Sequence, residues 1–282
     1  MTANSAQAPQ GPRDPGEPVG PGDARGSQDA IYPDLAGRTA IITGGSKGIG
    51  LATARQLAAN QVNVVIVART AADVERVVAQ LRAEGAKAHG YAVDCTDSAA
   101  LEAMVADVTG TVGPPDILMA FAGGFTRTTG VLDITEAEWR HVIDSNLTST
   151  FLTVRAVLPG MVERRRGAIV TMASNAGRLL DIPLTASYAA AKAGIIQFTR
   201  HVAIEVGPSN VRCNVVAPAT TLTERVASTL SAEAIDHVTR SAPMRRIGRP
   251  EDSAAAAVFL ASDAASWLTG ITMDVAGGRI MI

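Results

Sequence analysis

Thr39-Ala40-Ile41-Ile42-Thr43-Gly44-Gly45-Ser46-Lys47-Gly48-Ile49-Gly50 is a short apolar run that breaks into glycines. The stretch that follows, Gly48 to Ala59, reads as a helix with Ile49, Ala52, Leu57 and Ala58 available for packing. A continuous apolar run marks a strand buried on both faces, as in a parallel sheet. The glycines between strand and helix let backbone N–H groups come close to a phosphate, and the helix N-terminus adds partial positive charge there. The spacing, Gly44-x-x-x-Gly48-x-Gly50, differs from the G-x-G-x-x-G fingerprint. Taken alone it is also what any tight strand-to-helix junction needs.

The same alternation runs through the rest of the chain. Further strands are predicted at Val62 to Val67, Ala88 to Val93, Asp116 to Phe121, Ala168 to Met172, Val211 to Val216 and Ile271 to Val275. Between them lie helical stretches at Ala71 to Glu84, Ser98 to Val108, Thr135 to Val162, Ala186 to Val206 and 251–261. Gly85 stops the first of these, and Gly113-Pro114-Pro115 breaks the chain after the second. Strands alternating with helices over the whole body predict one α/β domain. It is a Rossmann-like, doubly wound parallel sheet of about seven strands, with right-handed crossovers.

That domain spans residues 34–282. Residues 1 to about 33 are compositionally separate, with Gly11-Pro12, Pro15-Gly16, Gly20-Pro21-Gly22 and Arg25-Gly26-Ser27 and almost no large apolar side chain before Ile31. Such a stretch cannot bury enough surface to offset its ordering entropy, and it is expected to be a disordered tail. It also lacks the basic start and apolar middle of a secretory signal.

A chain of 282 residues is long enough for a substantial core. The formal net charge of −2 gives no reason to expect nucleic acid or an anionic membrane surface as partner. No segment approaches the ~20 apolar residues of a membrane span. Cys95 and Cys213 fit no disulfide framework, and both read as buried reduced thiols, which points to the cytoplasm. His89, His141, His201 and His237 have no metal-ligand spacing, and no metal is expected. Trp139 and Trp267 read as packing residues.

Two basic residues sharpen the glycine turn. Lys47 lies inside it, and Arg69 directly follows the second strand, where this architecture places the adenosine ribose. An acidic residue there would favour NAD, whereas arginine accommodates a 2′-phosphate, and the first acid after Arg69 is Asp73. This pattern favours NADP(H); NAD(H) is the alternative, with both cations then ordinary surface charges.

Tyr188-Ala-Ala-Ala-Lys192 puts a phenol and a cation four residues apart on one helix face. A free tyrosine titrates near ~10, too high for easy proton exchange at neutral pH. A lysine cation beside it is expected to lower that value and make the phenol a usable acid or base. Ser174, after the fifth strand, could hydrogen-bond a substrate oxygen, or could simply serve a Ser-Asn-Ala-Gly turn. Asn146 stands inside a helical zone where asparagine is a poor helix former, which suggests a task such as bending the helix or holding a water, or else a simple polar residue at a helix irregularity.

With these motifs in order on one domain, residues 35 to 282 resemble the short-chain dehydrogenase/reductase family in its single-domain form, and 3-oxoacyl reductase-like carbonyl reductases within it. The resemblance rests on Thr43 to Gly50, Asp94, Asn146, Ser174, Tyr188 to Lys192, Arg212-Cys213-Asn214 with Ala217-Pro218, and Gly248-Arg249-Pro250-Glu251-Asp252. It implies that Tyr188 is the proton donor in reduction and the base in oxidation, and that Ser174 orients the carbonyl. Lys192 would hold the nicotinamide ribose and lower the tyrosine pKa, and Asn146 would hold a water linking Lys192 to solvent. It implies a cofactor surface of Gly44, Ser46, Lys47, Gly48, Ile49, Gly50, Arg69, Asp94, Cys95, Ala122, Gly123, Tyr188, Lys192, Pro218, Thr221 and Thr223. Asp94 would meet the adenine edge. The substrate loop would be about Thr220 to Ser241, and the protein a homo-oligomer, tetramer or dimer.

Three segments depart from the family pattern. Its usual Asn-Asn-Ala-Gly is Ala120-Phe121-Ala122-Gly123, its Pro-Gly is Pro218-Ala219, and its Asp-Gly-Gly is Ala276-Gly277-Gly278. The hydrogen bonds of the lost asparagine pair must be replaced, and Phe121, Phe125, Leu179 and Leu180 are candidates for a pocket wall. The expected activity is hydride transfer between NADP(H) and a small carbonyl or alcohol substrate, in the direction of ketone or 3-oxoacyl reduction. The alternatives are an NAD-dependent alcohol or sugar dehydrogenase, and a nucleotide-binding sensor or scaffold without turnover.

Overall fold

A computed structural model describes residues 30–125, 127–179 and 185–281. The expected tail lies outside the described residues up to residue 29. From Ala30 on the chain is tied to the body, because Asn60 accepts the Tyr32 N–H at 2.5 Å and donates to the Ala30 carbonyl at 3.1 Å.

Seven strands form one sheet: β1 (Thr39–Thr43), β2 (Asn63–Ala68), β3 (Ala88–Ala92), β4 (Ile117–Ala120), β5 (Gly167–Met172), β6 (Val211–Pro218) and β7 (Thr272–Val275). Their order is β3-β2-β1-β4-β5-β6-β7, and every neighbouring pair is parallel. The helices are α1 (Gly48–Ala59), α2 (Ala71–Ala83), α3 (Ser98–Thr111), α4 (Glu136–Ile143), α5 (Ser149–Arg164), α6 (Ala186–Val206), α7 (Glu224–Thr229), α8 (Ala232–Ser241) and α9 (Pro250–Ala261).

Side chains alternate across each strand, so successive residues feed opposite layers. Ala40, Ile42, Val64, Ile66, Ile117, Met119 and Val170 pack with α1, α2 and α9. Ile41, Val65, Val67, Leu118, Ala120 and Ile169 pack with α3, α5 and α6. Burying one such aliphatic side chain contributes roughly 1.5–3 kcal/mol, and the polar side chains that interrupt the inner strands, Thr171 and Asn214, are hydrogen-bonded.

The order reverses at β1, whose neighbours are β2 and β4. In open sheets of this kind the crevice at the carboxyl ends of such strands is where ligands bind.

Two motifs counted toward the family resemblance hold the far side of the sheet together. Arg212 donates to the Leu260, Ala261 and Ser262 carbonyls at 2.6, 3.2 and 2.9 Å, placing a cation on the C-terminus of α9. Asn214 donates to the Leu268 carbonyl at 2.8 Å and accepts the Ile271 N–H at 3.2 Å, which seats the turn into β7. At the other end of α9, Pro250 fills the first turn and Asp252 accepts the Arg249 N–H at 2.7 Å. The Arg246 guanidinium grips the same carboxylate with two bonds, at 2.6 and 2.7 Å, and holds its pKa down against the opposing effect of burial.

The structure differs from the sequence reading in three places. The zone from Thr135 to Val162 is not one helix, because Asp144–Thr148 widen into a π turn between α4 and α5. The loop from Thr220 to Ser241 carries α7 and α8, capped by the hydroxyls of Thr223 and Ser231. Trp139 and Trp267 are not packing residues, since they stand 41% and 97% exposed.

Candidate active site

The glycine turn is locked to the turn after β4. Thr43 Oγ1 accepts the N–H groups of Phe121 and Ala122 at 3.0 and 3.1 Å and donates to the Met119 carbonyl at 3.4 Å. This hydroxyl supplies backbone partners where the family's asparagine pair is missing. Phe121 is buried in the core against α1 and α2 and does not line the crevice. A Cβ on Gly44 would stand 2.8 Å from the Phe121 carbonyl oxygen, and one on Gly50 only 2.3 Å from the Gly44 carbonyl oxygen. The turn therefore excludes side chains at both positions.

No side chain caps α1, whereas Asp97, Thr185, Thr223 and Ser231 cap α3, α6, α7 and α8. Its first N–H groups lack the side-chain acceptor those helices have, and a diphosphate meets that need. Thr223 also packs beside the turn, its Cγ2 3.0 Å from where a Gly48 Cβ would be. Pro218 closes β6, and the buried Thr221 is held against Gly248 by a short parallel bridge. These residues fit a dinucleotide.

Lys47 does not reach toward Arg69. It is exposed and forms an ion pair with Asp73 at 2.9 Å, which lowers the Asp73 pKa. Arg69 is exposed at the end of β2, and among the described residues it makes no ion pair within 4.0 Å. It acts at longer range on Asp94, whose carboxylate accepts both the N–H and the hydroxyl of Thr96, at 2.9 and 2.8 Å. Those bonds hold the Asp94 pKa below the usual carboxylate range. Cys95 is buried, and burial pushes its thiol up to about 11, so it is a neutral wall and not a nucleophile. Burial likewise raises the Cys213 thiol, to about 12.

Asn146 sits in the π turn and is fully buried. Its amide nitrogen donates to the Val142 carbonyl at 3.0 Å and the Gly124 carbonyl at 3.3 Å. Its side-chain oxygen accepts the Gly124 N–H at 2.9 Å. The side chain thus bends the helix and anchors the Gly123-Gly124 turn after β4. Asn146 and Lys192 share no hydrogen bond among the described residues.

Tyr188 lies in the first turn of α6, where its N–H is capped by the Thr185 hydroxyl at 3.4 Å. Lys192, one turn on, is 3% exposed and donates from Nζ to the Met172 carbonyl at 2.9 Å. Nζ is 5.5 Å from the Tyr188 ring centroid. Ser174 pulls the pKa of the phenol down, donates to Asn175 Oδ1 at 3.1 Å and accepts the Ala176 N–H at 3.2 Å. Ser174 therefore serves both the turn and the phenol.

The electrostatics correct one expectation. Tyr188 titrates above its ordinary value, because burial outweighs the opposing pull of Ser174 and of Arg225. Burial also lowers Lys192 to about 8. Its cation and the tyrosine are each paying the desolvation cost separately.

The sequence reading missed Thr43, Thr185 and Arg225. The first two are hydroxyls at helix or turn starts, a pattern that marks caps. Arg225 is brought to the site by a contact with Phe125 one hundred positions away. Leu179 is exposed beside the site, and Leu180 lies outside the described residues.

Comparison with known proteins agrees with this geometry. A family model described as enoyl-(acyl carrier protein) reductase matches residues 44–279. The chain is 34% identical to 2,3-dihydro-2,3-dihydroxybenzoate dehydrogenase of Bacillus subtilis, over 88% of this chain and 97% of that one. It is 36% identical to 3-oxoacyl-(acyl-carrier-protein) reductase of Vibrio cholerae, over 88% and 100%. A solved 3-oxoacyl-(acyl-carrier protein) reductase from Brucella melitensis with bound NAD superposes with a TM-score of 0.82 at 37% identity, covering 89% of this chain and 94% of that one. A parallel seven-stranded Rossmann sheet with these relatives defines an oxidoreductase acting on CH–OH or C=O groups with a nicotinamide cofactor. The chain belongs to the short-chain dehydrogenase/reductase family, and is 3-oxoacyl-(acyl carrier protein) reductase-like within it.

Proposed function

We propose that the protein is an NADPH-preferring carbonyl reductase acting on a ketone or 3-oxoacyl compound. The observation that carries this is Tyr188, with Ser174 acting on its phenol and Lys192 one helical turn away, at the same sheet rim as the uncapped glycine turn. A reduced nicotinamide, when bound, would supply the hydride for the carbonyl carbon. Tyr188 gives its proton to the carbonyl oxygen as negative charge develops there, a step that needs its raised pKa brought down, for which the Lys192 cation and the positive charge of the oxidised nicotinamide would serve. Ser174 donates to the same oxygen and fixes its direction. Lys192 holds the ribose hydroxyls and stabilises the phenolate that remains. Asn146 supports the rim through Gly124. Gly44 to Gly50 and Thr223 receive the diphosphate, Pro218 and Thr221 the nicotinamide end, and Ala122 and Gly123 allow close approach. Asp94 receives the adenine, with the neutral Cys95 beside it.

Arg69 supports the NADPH preference, since it is a cation at the end of β2 without an ion-pair partner among the described residues. The Lys47–Asp73 pair favours the second reading, an NAD-dependent dehydrogenase of alcohols or sugars, because a 2′-phosphate would have to compete with Asp73 for Lys47. Fluorescence titration of the protein with NADPH and NADH separates them. NADPH is expected to bind at least ten times more tightly, and Arg69→Ala to remove most of the difference. Tighter NADH binding would overturn the preference. We also infer that copies of the chain associate in a cytoplasmic dimer or tetramer.

A further inference from the structure

We propose that Arg225 is the specificity-determining residue of this site and receives a carboxylate of the substrate, so that the compound reduced is an oxo acid and not a neutral ketone. The proposal rests on the carbonyl-reductase reading above. It starts from where the guanidinium sits. Arg225 lies on α7, in the segment after β6, and donates from Nη1 to the Phe125 carbonyl at 3.2 Å. The Phe125 ring in turn meets the Tyr188 ring edge to face, with centroids 5.6 Å apart. The arginine is thus held beside the proton donor, and near enough to pull down the phenol's pKa.

The seat for Arg225 is built. A Cβ on Gly124 would stand 2.7 Å from Nη1, so the absence of a side chain there lets the guanidinium lie across the turn. Gly124 is itself fixed on both backbone groups by the buried Asn146. A chain of contacts therefore runs from the π turn through Gly124 to Arg225.

The charge is also free to be used. Arg225 makes no ion pair among the described residues, and of its five N–H donors one is spent on Phe125. Cations of adjoining segments are neutralised: Arg127 by Glu138, Arg178 by Asp274 at 2.5 Å, and Lys47 by Asp73. One unpaired guanidinium matches one carboxylate in charge and in planar geometry.

The test saturates the enzyme with oxidised cofactor, so that no reduction occurs, and titrates it calorimetrically with two oxo acids and their methyl esters: acetoacetate and benzoylformate. At least one acid is expected to bind ten or more times tighter than its ester. Arg225→Met should bring that acid and its ester within a factor of two, and Arg225→Lys should recover part of the preference. Acids that bind no tighter than their esters overturn the proposal, as does a preference that survives in Arg225→Met. Reduction of the same four compounds with NADPH or NADH is a separate readout. Turnover without acid preference removes the role of Arg225 and leaves the reductase; acid preference without turnover of any of them does the reverse.

Discussion

Lys192 is a buried cation whose one hydrogen-bond partner among the described residues is the Met172 carbonyl. Its pKa, lowered to about 8, is a stability statement. The folded state binds fewer protons than the unfolded one between about pH 8 and the free lysine value. Stability therefore rises with pH across that window. Below it the buried charge costs about 3 kcal/mol, taking ~1.4 kcal/mol per pKa unit. Lys192→Met is accordingly expected to abolish turnover while raising the thermal midpoint at pH 7, with the gain gone by pH 10. A variant that is less stable than the parent at pH 7 contradicts this. Tyr188→Phe, by contrast, should leave NADPH binding within a factor of about three and lower turnover by ~10²–10⁴, the usual worth of a positioned acid. Parental turnover in that variant would remove Tyr188 from the chemistry.

At the scale of elements, the short motifs divide into those that face the crevice and those that hold the frame. Arg212, Asn214 and Asp252 belong to the frame, clamping α9 and the turn into β7. Arg246→Ala is expected to cost roughly 1–3 kcal/mol in a denaturant titration by leaving Asp252 half-paired, with cofactor binding unchanged. A change under 0.5 kcal/mol would mean that the Arg249 backbone bond alone sustains the carboxylate. The inner strands β1, β2 and β4 were readable because both their faces are buried, which makes each a nearly continuous apolar run. Asn146 was readable as a misfit, and the π turn is the physical form of that misfit. α7 and α8 were not read as helices: Glu224–Thr229 is short, and the Ser and Thr residues that start both helices look like loop chemistry until the caps are seen. Arg225 was invisible for a different reason. Nothing local to it signals a site; its meaning comes from Gly124 and Phe125, which only the folded chain brings near.

For the whole molecule, large apolar side chains remain on the outside. Ile204 on α6 is 80% exposed and Phe151 on α5 is 41% exposed, while Trp267 stands almost free near the start of β7. Sedimentation at micromolar concentration is expected to show a dimer or tetramer, and a species that stays monomeric there would refute the association. No described helix is long and apolar enough to cross a membrane.

The sheet is also a partition. One side chain in two faces the layer of α1, α2 and α9, and the next faces that of α3, α5 and α6. The glycine turn is rooted in the first layer, and Tyr188 with Lys192 in the second. A ligand long enough to touch both, laid over the rim, works as a staple through two boards. Before it arrives the layers are free to breathe out of step; once it is seated, either can open only by letting go of the ligand. Amide exchange in α1 and α6 should then slow together, although neither helix gains a contact with the other.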